Sequence, residues 1–153
     1  MLEPGDPAPD FSLPMDNDET LSLSELSGQK VVLYFYPKDD TPGCTKEAIA
    51  FSADIAKFKR AGAVVIGVSR DTVAKHQKFI DKHGLKVRLG SDEAGDVTEN
   101  YGVWKEKSMY GKKYMGIERS TFLIDGDGVI SAIWRKVKVP GHAEAVLKEV
   151  KAL

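Results

Sequence analysis

Six short segments of the chain carry apolar, β-branched and aromatic residues in patterns typical of strands. The predicted strands cover residues 20–23, 31–36, 63–69, 87–89, 120–124 and 129–134. The segments 31–36 and 63–69 are almost wholly apolar, which indicates buried strands. An Asp-Gly-Asp-Gly sequence at 125–128 lies between the last two strands and predicts a hairpin turn. It also resembles part of a calcium loop, but the flanking strands favour the hairpin.

Segments with helical periodicity separate the strands. The predicted helices cover residues 43–60, 71–83, 95–101 and 142–153. In the first, apolar residues recur three and four positions apart and form one face. Asp71 is predicted to cap the second helix, and Gly62 and Gly84 to end the first two. The proline-rich residues 4–14 predict an irregular or extended arm, and residues 24–28 a turn.

The order of these elements predicts an α/β fold. Two consecutive strand–helix–strand units give parallel strands with helices on both faces, and the later hairpin adds antiparallel strands. The result is a mixed central sheet flanked by helices on both faces, which is the thioredoxin-like arrangement. We expect one domain over residues 1–153, a length that can bury a substantial core.

Composition and charge narrow the range of possible partners and locations. The apolar content of 42% and the charged content of 29% are typical of globular proteins. A net charge of -1 gives no broad attraction to nucleic acid or to anionic membranes. No apolar run reaches the roughly 18 residues of a membrane span, and the N-terminus lacks an apolar signal core. We therefore expect a cytoplasmic location and neither a nucleic-acid nor a membrane partner.

Cys44 is the only cysteine, so no intrachain disulfide can form. It follows the predicted strand 31–36 and lies at the start of the predicted helix 43–60. The positive end of a helix dipole favours a thiolate at such a corner, which makes Cys44 a candidate nucleophile. A lone buried cysteine is also commonly a small core residue, so its neighbours decide the interpretation.

Pro37 and Thr41 precede Cys44 in the spacing Pro-x-x-x-Thr-x-x-Cys. This motif resembles the active site of the peroxiredoxins, and the longer sequence FYPKDDTPGCTKEA is similar to the bacterioferritin-comigratory, or Q-type, branch. Segments 101–104, 109–125 and 137–142 extend the likeness over nearly the whole chain. The resemblance implies a thiol-dependent peroxidase that reduces hydrogen peroxide and organic hydroperoxides in antioxidant defence. It implies no cofactor and no metal.

The resemblance assigns catalytic roles to Cys44, Thr41, Pro37 and Arg119. Cys44 supplies the sulfur that attacks an O–O bond and becomes a sulfenic acid. Thr41 lies three residues earlier, so its hydroxyl can approach the sulfur, and Pro37 presents an apolar face that can shield it. Arg119 takes the place of the family's distant arginine, where its guanidinium can stabilise thiolate and donate hydrogen bonds to peroxide.

Thiolate formation alone is too small an effect for efficient catalysis. An ordinary thiol is about 3% ionised at neutral pH, so complete ionisation gains about 30-fold in rate. Enzymes usually lower barriers by about 8 kcal/mol or more. Positioning and hydrogen-bond donors aimed at the O–O bond must therefore supply most of the acceleration.

Many family members restore the nucleophile with a second cysteine. The two places where relatives carry it correspond here to Ile49 and Ile80, which cannot form a disulfide. The sequence thus implies a one-cysteine cycle in which an external thiol attacks the sulfenic acid. Candidate reductants are thioredoxin, glutaredoxin, glutathione or Cys44 of a second molecule. We expect a monomer that can form a Cys44-linked dimer on oxidation, and a natural sequence, because engineered replacements usually use serine or alanine.

Several charged side chains near the motif have open roles. Glu47 can orient Arg119 or be a solvated carboxylate, and the sequence does not choose between them. Asp39 and Asp40 are predicted to be exposed loop residues. The three histidines are scattered without metal-ligand spacing, so we expect no metal site.

The aromatic residues near 104–114 can line a loop over the site or pack in the core, and core packing is the expectation for Trp104, Tyr110 and Tyr114. Two other functions remain as alternatives. One is a non-enzymatic thioredoxin-fold redox sensor or holdase that uses Cys44 as a switch. The other is a disulfide oxidoreductase, although these usually use Cys-x-x-Cys, and Cys44 has no partner.

Overall fold

A computed structural model describes residues 1–153 and contains nine strands and five α-helices. The strands are β1 (Ser12–Pro14), β2 (Thr20–Ser22), β3 (Lys30–Phe35), β4 (Ala63–Ser69), β5 (Arg88–Ser91), β6 (Trp104–Met109), β7 (Lys112–Ile117), β8 (Ser120–Ile124) and β9 (Ile130–Trp134). The helices are α1 (Pro42–Ala53), α2 (Ile55–Arg60), α3 (Val73–His83), α4 (Asp96–Asn100) and α5 (His142–Ala152). A short 3-10 helix covers Leu23–Leu26.

Five strands form the central sheet in the order β5-β4-β3-β8-β9. β3 runs parallel to β4, and β4 runs parallel to β5, because each pair is joined by helical crossovers. β8 pairs antiparallel with β3, and β9 antiparallel with β8, as the turn at 125–128 requires. The chain after β3 therefore leaves the sheet at its centre, and this is where α1 begins.

The two faces of the sheet bury separate cores because successive residues of each strand point to opposite sides. On β3, Val32 and Tyr34 pack with the inner faces of α1, α2, α3 and α5. Leu33 and Phe35 pack on the other face with the N-terminal strands, the 3-10 helix and α4. Helices thus cover both faces, but the four on the Tyr34 side supply most of the helical packing.

Most of the predicted elements are present. The strands predicted at 31–36 and 63–69 are confirmed as β3 and β4, and the hairpin at 125–128 joins β8 to β9. The predicted helix 43–60 is wrong as a single element, because Asp54 adopts φ −102° and ψ 9° and separates α1 from α2. The cap of α3 is Thr72 rather than Asp71, since the Thr72 side chain accepts from the Lys75 backbone N–H at 3.2 Å.

The N-terminal arm and the segment 104–117 contain strands that the periodicity did not indicate. β1 lies inside the predicted irregular arm and pairs with β2, which was predicted as a strand. β6 pairs with β7 to form a separate two-stranded hairpin, joined through Tyr110 and Gly111, which both have positive φ. None of the helices has the length and apolar character that crossing a membrane would need.

Candidate active site

Cys44 lies in the first turn of α1, just beyond the carboxyl end of the central strand β3. Thr41 occupies the N-cap position in extended conformation, and Pro42 begins the helix, where its missing N–H costs no hydrogen bond. The Cys44 side chain is buried and packs in the core on the Tyr34 face of the sheet. The strand-to-helix corner therefore presents the sulfur at the positive end of a helix while keeping it largely away from bulk water.

Arg119 reaches this sulfur from the short link between β7 and β8. Its Nη2 lies 3.3 Å from Cys44 Sγ, and its Nη1 donates to Glu47 Oε1 at 2.7 Å. Only 16% of the Arg119 side chain is exposed, so both contacts are made in a sheltered environment. The structure thus brings together two of the four predicted site residues and chooses the orienting alternative for Glu47. The solvated alternative for Glu47 is wrong.

Burial and opposite charge act against each other in this cluster. Burial raises the pKa of Glu47 to about 7, although the charge of Arg119 and its hydrogen bond oppose the rise. For Arg119, burial works to lower the pKa, but the charges of Glu47 and Cys44 outweigh it and raise the pKa. Arg119 consequently remains a cation beside the sulfur, while Glu47 can take up a proton near neutral pH.

The backbone at the start of α1 adds further donors. The N–H groups of Gly43 and Cys44 have no acceptor within the protein. They point along the axis of the first turn, as the free N–H groups of a helix start do. The Thr41 hydroxyl donates to the Lys38 carbonyl oxygen at 2.8 Å, not to the sulfur. Pro37 follows β3 and is exposed.

Residues 4–133 match the family model described as "AhpC/TSA family". This chain belongs to the AhpC/TSA family. The peroxiredoxin Bcp of Bacillus subtilis is 49% identical over 150 residues, which cover 98% of this chain and 96% of the relative. A putative peroxiredoxin bcp of Coxiella burnetii is 56% identical over 146 residues, with 95% of this chain and 97% of the relative covered. The chain is therefore a peroxiredoxin of the Bcp, or Q-type, branch, and an enzyme with thiol peroxidase activity.

Solved structures support the same assignment. A Xanthomonas campestris peroxiredoxin Q structure has a TM-score of 0.89 and 46% identity, covering 93% of this chain and 90% of that chain. A cysteine-to-serine mutant of Xylella fastidiosa PrxQ has a TM-score of 0.94 and 42% identity, covering 99% and 97%. These matches confirm the predicted thioredoxin-like fold.

The X. campestris protein differs from this peroxiredoxin in its cysteines. Two of its mutants each replace a different cysteine with serine, so that protein has at least two cysteines. The chain described here has only Cys44. In this peroxiredoxin, Ile49 is 46% exposed on α1, and Ile80 lies partly buried on α3 against the core.

A buried network fixes the loop before α1 in this peroxiredoxin. Asp39 accepts from the Tyr36 hydroxyl at 2.5 Å and contacts His76 Nδ1 at 2.6 Å, while His76 Nε2 lies 2.9 Å from the Gly90 carbonyl oxygen. Both ring nitrogens therefore face oxygen atoms that can accept a hydrogen bond. The prediction that Asp39 is exposed is wrong, because its carboxylate is buried in contact with the Tyr36 hydroxyl and the His76 ring. Asp40 is exposed, as predicted.

Two of the three aromatic residues of the β6–β7 hairpin depart from the prediction of core packing, whereas Trp104 packs against the core as predicted. Tyr110 is 99% exposed at the hairpin tip and Tyr114 is 44% exposed, so neither packs in the core. Trp104 is partly buried beneath the Arg70 guanidinium, whose carbon lies 3.4 Å from the ring centroid. The hairpin brings Lys107 into the electrostatic environment of the site. Burial and then the charge of Arg119 lower the pKa of Lys107, partly offset by Cys44.

Gly43 leaves space for Arg119. A Cβ atom at position 43 would lie 3.1 Å from Arg119 Nη2, closer than most Cβ contacts. We expect Gly43→Ala to displace the guanidinium by a few tenths of an ångström and to lower peroxidase kcat/KM about tenfold. Alanine favours helix more than glycine does, so the Tm should not fall. Steady-state kinetics and thermal denaturation check both expectations, and an unchanged kcat/KM would show that the guanidinium tolerates the displacement.

The buried Glu47 predicts a pH-dependent stability. Its ordinary pKa of 4.5 rises to about 7 in the folded chain, so the folded state holds the proton more tightly than the unfolded state. This contribution is fully present below pH 4.5 and is lost as the pH rises through 7. We expect Glu47 to lower the free energy of unfolding by about 3 kcal/mol across this range. Urea denaturation at a series of pH values gives the free energy of unfolding of the wild type and of Glu47→Gln. This free energy should fall less steeply with rising pH in the variant than in the wild type.

Proposed function

We propose that this peroxiredoxin reduces hydrogen peroxide and organic hydroperoxides through a Cys44 sulfenic acid. The observation that carries the proposal is the 3.3 Å contact between Arg119 Nη2 and the sulfur of the only cysteine. The X. campestris relative has been described as reducing alkyl peroxides, with structures of a trapped intermediate and a ligand complex. That description supports an alkyl hydroperoxide as one substrate here.

In the oxidative step, the Cys44 thiolate attacks one oxygen of the peroxide in line with the O–O bond. The S–O bond forms as the O–O bond breaks, and the leaving oxygen departs as hydroxide or alkoxide and takes up a proton. Arg119 faces the sulfur, so its guanidinium can stabilise the negative charge that moves from sulfur to the leaving oxygen. The unpaired N–H groups of Gly43 and Cys44 offer donors to the same region.

Thr41 and Pro37 complete the proposed set of catalytic residues. The Thr41 hydroxyl is held against the Lys38 carbonyl oxygen, which leaves its oxygen free to accept a hydrogen bond from a protonated peroxide oxygen. Pro37 lies two residues after the end of β3, where the loop begins, and provides an apolar surface there. Pro37 would then favour apolar parts of a substrate at the entrance, while the hydrogen-bond donors deeper in the site orient the O–O bond.

In the reductive step, an external thiol attacks the sulfenic sulfur, releasing water and leaving a mixed disulfide. A second thiol then releases Cys44 as a thiol and forms the disulfide of the reductant. Thioredoxin, glutaredoxin or glutathione would supply these two electrons. The exposed Ile49 and the partly buried Ile80 support this one-cysteine cycle, because neither can resolve the sulfenic acid internally.

We further propose that residues 1–153 form one domain, that the protein is a monomer with a Cys44-linked dimer as an oxidised form, and that it is cytoplasmic. The two cores on either side of one sheet support the single domain. The burial of Cys44 supports the monomer, since a linked dimer would require the first turn of α1 to open. A single cysteine is typical of reducing compartments, which supports the location.

Intact-mass measurement after one equivalent of peroxide tests the proposed function. We expect a gain of one oxygen atom on Cys44, and the loss of that mass after dithiothreitol is added. Glutathione added in place of dithiothreitol should give a transient adduct, and a linked dimer would identify a second Cys44 as the attacking thiol. A chain that keeps its mass in peroxide would contradict the peroxidase mechanism.

A further inference from the structure

A concave surface lies beside the loop that leads to Cys44. It is a cleft of about 350 Å³ between residues 38–40 of that loop and the outer face of α3. Phe79 lines it together with the aliphatic stems of lysine side chains. The cleft has the size of a small-molecule site and is distinct from the sulfur's own surroundings.

The carboxylates in the cleft are occupied by internal partners. Asp39 is bound by the Tyr36 hydroxyl and by the His76 ring. Asp71 accepts from the Asp39 backbone N–H at 2.8 Å and from the Ser69 hydroxyl at 2.6 Å.

The third carboxylate, Asp40, pairs with Lys82 at 2.7 Å and with His83 at 2.8 Å. Hydrogen bonds from His83 and Lys82 lower the pKa of Asp40, so it remains an anion engaged by these two groups. None of the three carboxylates is free to neutralise another cation in the cleft.

Three lysines have no such partner. Lys38, Lys75 and Lys78 line the cleft and form no ion pair with any carboxylate of the protein. The cleft therefore carries an excess of positive charge, although the net charge of the chain is -1. A concave site lined by cations raises the local concentration of anions and their rate of arrival.

We propose that this cleft holds the carboxylates of the small thiol that reduces oxidised Cys44. The inference rests on the proposed function, because only a one-cysteine cycle requires an external thiol. Lys38 is six residues before Cys44 and its carbonyl holds Thr41, so an anion in the cleft lies against the loop that leads directly into the first turn of α1, where Cys44 lies. The ligand class is a low-molecular-weight thiol with one or more carboxylates and a short apolar backbone, matching the lysines and Phe79.

The chemistry balances with two molecules of this thiol. The first attacks the sulfenic sulfur, forms the S–S bond of a mixed disulfide and releases water. The second attacks the mixed disulfide, returns Cys44 as a thiol and leaves as the small-molecule disulfide. The lysines take no part in bond making. They bring the anionic thiol to the loop and favour it over neutral thiols of equal reactivity.

Single-turnover reduction of Cys44 sulfenic acid tests the proposal with two thiols, mercaptosuccinate, which carries two carboxylates, and 2-mercaptoethanol, which carries none. The variant replaces Lys38, Lys75 and Lys78 with glutamine. We expect its rate constant for mercaptosuccinate to fall about tenfold at low ionic strength, and that for 2-mercaptoethanol to change less than about twofold. Comparing each thiol with itself removes differences in intrinsic nucleophilicity. Added salt should shrink the mercaptosuccinate effect.

A matched control variant replaces three exposed lysines on α2 and α5 with glutamine, namely Lys59, Lys148 and Lys151. It therefore makes the same change in net charge as the test variant. It should leave both rate constants near those of the wild type. Equal losses for both thiols, or an equal loss in the control variant, would overturn the binding site. The sulfenic acid is verified by mass first, and failure to form it would overturn the proposed function and this inference together.

Discussion

Peroxide consumption with dithiothreitol as the electron donor is expected to fall to the uncatalysed background when Cys44 is replaced by serine. A serine hydroxyl does not ionise at neutral pH and is a weak nucleophile toward an O–O bond. No other cysteine can take over, since Cys44 is the only one. The substitution replaces one buried atom, the sulfur, with oxygen, so the fold should persist. The measurement is the initial rate of peroxide loss at equal protein concentrations.

The control for this prediction is Ile49→Ser, which introduces the same side chain five residues further along α1. Ile49 is exposed, and the Arg119 side chain bonds Cys44 and Glu47 rather than Ile49, so the rate of this variant should match the wild type. Equal turnover by Cys44→Ser and the wild type would show that another group reduces peroxide. Turnover in neither protein would favour the redox-sensor interpretation of Cys44.

The parts of the fold that follow from local patterns could be predicted from the sequence. β3 and β4 are nearly continuous apolar runs, and their burial on both faces requires helices on both faces. Once the strand–helix order was known, the position of Cys44 at the carboxyl end of a central strand followed. Arg119 could be placed by resemblance, but its contact with Cys44 joins residues 75 positions apart and depends on β8 pairing with β3.

The failures have a common physical origin in tertiary contacts. Asp39 has the sequence context of a loop, and only the buried His76 on α3 makes its burial favourable. The hairpin β6–β7 is rich in lysine and lacks strict alternation, so its strands carry a weak signal. The division of 43–60 at Asp54 leaves the apolar spacing almost unchanged across the two helices, which is why periodicity alone missed it.

Arg119→Ala is expected to lower peroxidase kcat/KM by about 10²–10³-fold, the size seen when a preorganised donor to a developing anion is lost. Ionisation cannot account for such a loss, because an ordinary thiol at neutral pH forfeits at most about 30-fold. The part of the loss in kcat/KM that exceeds 30-fold measures the contribution of the Arg119 hydrogen bonds to the stretching O–O bond. Thiolate absorbance across pH gives the ionised fraction of the wild type and the variant, and dividing each rate by that fraction isolates the donor effect.

Removing Arg119 also leaves the buried Glu47 without its cation, so part of the rate loss could come from a disturbed α1. Glu47→Gln with Arg119 intact separates the two effects, because it keeps the guanidinium beside the sulfur and removes only the buried charge. We expect this variant to retain kcat/KM within about tenfold of the wild type, while Arg119→Ala/Glu47→Gln remains as slow as Arg119→Ala. Rates that track the thiolate fraction alone in every variant would assign Arg119 to ionising Cys44, with no direct part in breaking the O–O bond.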